Sequence, residues 1–99
     1  MLYIIIGKDR SNSLADRLSV RRAHLDRVQA LLDAGRLIIG GPMPAIDSET
    51  PGEAGFLGSV IIAEFASLDA AKAWAEADPY TLTGVFETLE VHPYKQVLP

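Results

Sequence analysis

Apolar runs of strand length alternate with two stretches of helical period along this chain. LYIIIG (2–7) is a short β-rich run closed by the turn-like GKDRSNS, which predicts a first strand. The period then changes. Leu14, Leu18, Leu25, Val28 and Leu32 fall within a narrow sector at 100° per residue, predicting an amphipathic helix with that stripe turned to the core. Ser13, with Asp16 three residues on, marks its start as a weaker relative of the Ser/Thr-x-x-Glu capping box. Gly35 is the expected stop. RLIIGGP (36–42) is a second strand cut by Gly-Gly-Pro, and MPAIDSETPGEAG after it reads as a Pro/Gly/acid loop, long for so short a chain.

FLGSVIIAEF (56–65) is a third strand. Ser67 then opens an Ala-rich helix with Asp69 in its first turn, ending by Ala77. Pro79 disfavours helical geometry in the residue before it, so Asp78 is pushed into an extended or turn conformation. Thr81 to Gly84 continue the turn, and VFETLEVHPYKQVL (85–98) is a final, partly alternating strand.

The order β-α-β-β-α-β in 99 residues predicts one domain, 1–99, of the α+β class. The expected architecture is a ferredoxin-like sandwich: a four-stranded antiparallel sheet with two helices on one face. A flavodoxin-like doubly wound fold needs more strands and ranks second. The strands add one inference. A half-exposed antiparallel strand should alternate, yet YIII and VIIA are apolar on both faces. The face without helices is therefore expected to meet a second copy of the chain, giving a homodimer.

Composition narrows the function classes. An apolar fraction of 48% describes a buried core, and no run reaches the eighteen or so apolar residues that span a bilayer. The first residues read as a strand and not as a signal peptide. With no cysteine, disulfides, thiolate-bound zinc and thiol catalysis are excluded, in keeping with a cytoplasmic location. A net charge of -4 gives no global attraction to nucleic acid or anionic membrane. Charge is uneven, however. Five of the nine basic residues are arginines between positions 10 and 27, namely Arg10, Arg17, Arg21, Arg22 and Arg27. They describe either a solvated helix face with i,i+4 pairs such as Arg22–Asp26 or a local anion site.

There are two histidines. His24 sits about 80° from the centre of the leucine stripe, at the border of core and solvent, with Arg17 on its side of the helix. Arg21 lies near the stripe centre, an odd place for a charge. In a ferredoxin-like layout the second helix ends beside the first half of the first, which brings Asp78 toward Arg17, Arg21 and His24. A carboxylate there orients the imidazole and favours its charged form, equipment for proton transfer. The alternative is an ordinary turn in which Asp78 caps its own backbone and His24 merely packs. His92, at a strand end before proline, reads as a surface residue. Three N/O ligands in His24, Asp78 and His92 lack short ligand spacing, so no metal is expected. GRLIIGGP has glycines but neither the Lys-Ser/Thr nor the helix of a phosphate loop, and no cofactor motif is present.

The residues Arg21, His24, Leu25, Leu31, Leu32, Gly35, Gly41 and Pro42, followed by SLDAAKAWAEADPY, resemble the YciI-like family over essentially the whole chain. The resemblance implies a dimeric α+β barrel-type fold and a His-Asp site carried here by His24 and Asp78. It also implies a family in which most members have no assigned reaction, although dehydrochlorinase-type chemistry on chlorinated hydroxyquinols occurs within it. Ser59, in the third strand, is an expected further polar group of such a pocket. The extended loop 44–56 departs from the family pattern.

The leading expectation is a small enzyme in which His24 moves a proton and Asp78 orients it. Arg21 or Arg17 would hold an anionic or phenolate group, with Tyr80 lining the pocket. Loss of a leaving group after proton abstraction, a lyase or isomerase step, suits this equipment. The rival classes are a module that binds a small anion unchanged and an interaction domain indifferent to His24.

Overall fold

The computed structural model describes residues 1–99. The elements run β1 (Leu2–Asp9), α1 (Leu14–Asp33), β2 (Leu37–Pro44), β3 (Phe56–Glu64), α2 (Leu68–Glu76), α3 (Pro79–Leu82) and β4 (Phe86–Tyr94), with one 3-10 turn at Gly52–Ala54. The strands form one sheet in the order β2-β3-β1-β4, every neighbouring pair antiparallel. This is the ferredoxin-like α+β arrangement that the element order predicts, each helix carrying the chain over one intervening strand. No helix is long and apolar enough to cross a membrane.

Register separates the two faces of the sheet. Tyr3 and Ile5 stand opposite Ala63 and Ile61, and all four are buried under the helices together with Leu31, Phe65, Ala71 and Ala75. Ala71 and Ala75, one turn apart on α2, let that helix lie close to the sheet. The alternate positions form the other face. There Ile4 and Ile6 stand opposite Ile62 and Val60, flanked by Ile39 and Gly41 on one side and His92 and Glu90 on the other. This face is apolar at its centre and no helix covers it; Ile39 is 52% exposed.

Helix ends follow the expected signals in part. The Ser67 hydroxyl accepts the Ala70 N–H at 3.1 Å and starts α2. Gly35, at φ +71, ends α1 as expected: its N–H reaches the Leu32 carbonyl and the Arg36 N–H the Leu31 carbonyl, each at 2.9 Å. Ser13 begins α1 but makes no side-chain cap, because Asp16 pairs with Arg10 and no capping box closes. The Arg22–Asp26 pair does not form. β4 stops at Tyr94 rather than at 98, since Tyr94 pairs with Leu2, where β1 begins, and nothing lies beyond to receive the chain.

The main departure is the face that α1 buries. The leucine stripe predicted to face the core is largely open, with Leu18 and Leu32 each 52% and Leu25 42% exposed. The buried line is instead Arg17, His24 and Leu31, at 3%, 7% and 3% exposure. These residues are spaced by seven and lie about 80° round the helix from the stripe. A charged and an ionisable residue displace leucines from the interior because both find partners there, described next.

Candidate functional site

The sequence Asp78-Pro79-Tyr80 does three things in one turn. Asp78 is extended (φ -66, ψ 140), as the following proline requires, and Pro79 opens the single turn α3. Asp78 Oδ1 accepts the Tyr80 N–H at 2.9 Å, capping that turn. Both carboxylate oxygens also lie 2.9 Å from Nδ1 of His24. Capping its own backbone and meeting His24 are thus not alternatives for Asp78; the cap aims the carboxylate at the ring. Arg27, whose guanidinium carbon lies 4.3 Å from the Trp74 ring centroid, donates from Nη1 to Oδ2 at 3.2 Å.

With N–H donors on each of its oxygens, Asp78 acts as the acceptor and Nδ1 of His24 as the donor. In the neutral ring this leaves Nε2 with the lone pair. Nε2 has no protein partner, yet no fully enclosed side-chain polar atom in the chain lacks one. Nε2 therefore opens onto accessible space.

Tyr80 completes the packing. Its ring stacks on the imidazole, 4.1 Å between centroids and 22° from parallel, while the Arg17 guanidinium lies 4.4 Å from its centroid. His24 and Arg17 are two helical turns apart on α1, so the ring fits between them. Arg17 is fixed in turn by Asp9, which accepts from Nε at 2.7 Å and Nη2 at 2.8 Å, and Nη2 also donates to Ser59 Oγ at 3.0 Å. The Phe86 ring meets Tyr80 edge-on at 5.5 Å. Gly7 makes room for it, because a Cβ there would sit 2.5 Å from the Phe86 ring. Burial pushes the Tyr80 phenol above its ordinary value; the guanidinium groups of Arg17 and Arg21 oppose this, and the Asp78 carboxylate adds to it.

These residues wall a cavity of about 70 Å³ between α1 and the β2–β3 edge, several times the roughly 10–15 Å³ that holds one water. His24, Tyr80, Arg17 and Ser59 form its inner wall; Leu18, Leu25, Val28 and Phe56 supply apolar surface, and Gly40 to Pro42 the strand side. Arg21 stands at the rim, exposed, with no hydrogen bond or ion pair. Asp78 is not on the wall but directly behind His24. The arrangement presents one proton acceptor, a phenol and cationic groups to the cavity.

All six residues singled out from the sequence, His24, Asp78, Arg17, Arg21, Ser59 and Tyr80, come together here. His92 does not: it pairs in register with Ile4 on the helix-free face. Asp9, Arg27, Phe56 and Phe86 were not legible as site residues. Two of them left a signal. A buried Arg17 demands a carboxylate, and Arg27 follows His24 by three positions on the same flank of α1.

Residues 1–95 match the YCII-related domain. Protein YciI of Escherichia coli O6:H1 is 60% identical over 97 residues, covering 98% of this chain and 99% of that protein. A protein of Haemophilus influenzae is 50% identical over 97 residues, with the same coverage. Among solved structures, 5-chloro-2-hydroxyhydroquinone dehydrochlorinase (TftG) from Burkholderia phenoliruptrix AC1100, in complex with 2,5-dihydroxybenzoquinone, matches with a TM-score of 0.84. It is 33% identical, and the match covers 96% of this chain and 94% of that one.

Proposed function

The chain belongs to the YCII-related family, and from that premise we propose that it is a small-molecule enzyme whose proton carrier is His24. One observation carries this reading: Nδ1 is committed to a buried carboxylate while Nε2 faces the cavity without a partner. A packed structural histidine has no need to leave its second nitrogen free toward a cavity. Likeness to a dehydrochlorinase complexed with a dihydroxyquinone supports a phenolic guest.

The reaction we assign is elimination from a ring that carries two hydroxyls and a leaving group. Nε2 of His24 takes the proton of one hydroxyl and returns it to the ring carbon bearing the leaving group. The electron pair of the second O–H then forms a carbonyl as the carbon–leaving-group bond breaks, and that proton passes to solvent with the departing anion. Asp78 keeps Nδ1 protonated and stabilises the imidazolium between the two proton movements. Arg17 and Arg21 hold the phenolate oxygen, Ser59 fixes Arg17, and the Tyr80 phenol, kept neutral by burial, donates a hydrogen bond.

The apolar helix-free face supports a homodimer as the working unit, and a cysteine-free chain suits the reducing cytoplasm, where we place it.

Chloride release from 5-chloro-2-hydroxyhydroquinone by the purified protein tests the assignment. His24→Ala and Asp78→Asn should each lower turnover by about a hundredfold or more, the range of general acid–base catalysis. Undiminished turnover in both variants would remove the pair from the mechanism. A ligand recovered unchanged at full occupancy would make the protein a binding module.

A further inference from the structure

A second polar recess lies at the head of α1, outside the site just described. α1 is twenty residues long, and the N–H groups of Leu14, Ala15 and Asp16 donate to nothing in the protein; the first backbone bond of the helix is Arg17 N–H to the Ser13 carbonyl, 2.8 Å. Exposed helix starts are commonly satisfied by water, but this one is not left to water by default. Ser13 is 96% buried (4% exposed), and its hydroxyl neither caps the helix nor finds any other partner. Because no enclosed polar atom in the chain is left unpartnered, that hydroxyl must open into the groove that Ser13 lines. The groove, about 630 Å³, runs between the head of α1 and residues 45 and 53–57. A buried hydroxyl and free N–H groups thus lie together at the positive end of a long helix, with Ser13, Leu14 and Ala15 on the groove wall.

The acids nearby are mostly spent. Asp9 is held bidentately by Arg17 and Asp16 is paired with Arg10. Glu53 alone lines the groove without a cation. The groove neighbours the His24 cavity: Leu18 and Phe56 belong to the walls of both.

We propose that the head of α1 is an oxyanion subsite that takes the anionic tail, carboxylate or phosphate, of the molecule whose ring lies at His24. Ser13 Oγ and the first N–H groups of α1 bind the oxygens. The identity of the occupant rests on the reading of the His24 site; the existence of the subsite does not. His24 is eleven residues along α1 and its side chain leans back toward the helix start, so ring and anion are spaced by roughly 10–15 Å. An occupant of both places is then a phenolic ring carrying an acidic chain long enough to span that distance, while a bare hydroxyquinol fills the His24 site alone.

The experiment is a titration of the full-length ¹⁵N-labelled protein with inorganic phosphate and, separately, with acetate, following the amides of Leu14, Ala15 and Asp16. The expected result is saturable displacement of these amides. Affinity should fall about tenfold in Ser13→Ala, as for the loss of one hydrogen bond to a charged group, and rise in Glu53→Gln. The tighter of the two anions assigns the tail. Displacement that never saturates, or that is equal in wild type, Ser13→Ala and Glu53→Gln, overturns the subsite; Glu53→Gln keeps the test valid if Ser13→Ala does not fold. His24→Ala should bind the anion as wild type does. Anion binding without any turnover of a chlorinated hydroxyquinol would leave the subsite standing and remove the elimination reading alone.

Discussion

The imidazole of His24 lies flat against the ring of Tyr80, 4.1 Å between centroids and 22° from parallel. Because Asp78 grips Nδ1 from the same turn, neither the plane nor the spin of the imidazole is free. Removing the ring should therefore damage both packing and alignment. Tyr80→Ala is expected to cost about 3–5 kcal/mol, the range for deleting a buried aromatic. Tyr80→Phe keeps the stack and removes only the phenol oxygen beside Arg17, so its cost should stay near the roughly 1 kcal/mol of a single hydrogen bond. Urea denaturation separates the two; equal losses would show that the phenol oxygen, and not the ring, carries the interaction.

Tyr80 also sets an alkaline limit. Burial raises its folded value above that of the unfolded chain, so the folded form holds the proton more tightly. Its contribution to stability is whole below pH 10 and is lost as pH rises through the folded value. The ultraviolet phenolate signal of wild type minus that of Tyr80→Phe should develop above pH 10 in the folded protein. A difference signal complete by pH 10 would contradict the burial argument.

Arg17 and Asp9 are both almost completely enclosed, their side chains 4% and 3% exposed. Breaking such a pair strands a charge, which costs about 3–5 kcal/mol. Asp9→Asn and Arg17→Met are each expected to fall in that range. The double variant should lose much less than the sum, because no unpaired charge then remains. Additive losses in denaturant melts would mean that the two side chains do not depend on one another.

Ile4, Ile6, Val60 and Ile62 form the middle of the sheet face that no helix covers. If a second copy buries it, sedimentation should give a dimer at micromolar concentration. Ile6→Glu should convert that dimer to monomer while far-ultraviolet circular dichroism stays native. A wild-type monomer across that range, or a dimer indifferent to Ile6→Glu, rules this face out.

The places of the four strands, the Gly35 stop, the Ser67 cap and the effect of Pro79 on Asp78 were legible, because each is decided within a few residues of chain; the strand ends were not, since β2 runs on through Gly-Gly-Pro to Pro44. From element order alone the topology followed, and with it the approach of Asp78 to His24. The orientation of α1 was not legible. Periodicity assigns the core to whichever stripe is most apolar, and here Arg17 and His24 take the interior because partners distant in sequence, Asp9, Ser59 and Asp78, satisfy them. Leu18 and Leu25, displaced from the core, became the apolar lip of the cavity. Arg27 stayed hidden among five arginines, since only the position of Trp74 and Asp78 distinguishes it from a solvated neighbour.

His24 and Asp78 are separated by 54 positions, and the turn that delivers the carboxylate follows directly on α2. No short stretch of chain can make this meeting, so the pair exists only where α1 and the turn after α2 are both in place. Any damage that loosens the later third of the chain, however far from the cavity, should silence the histidine before it melts the sheet.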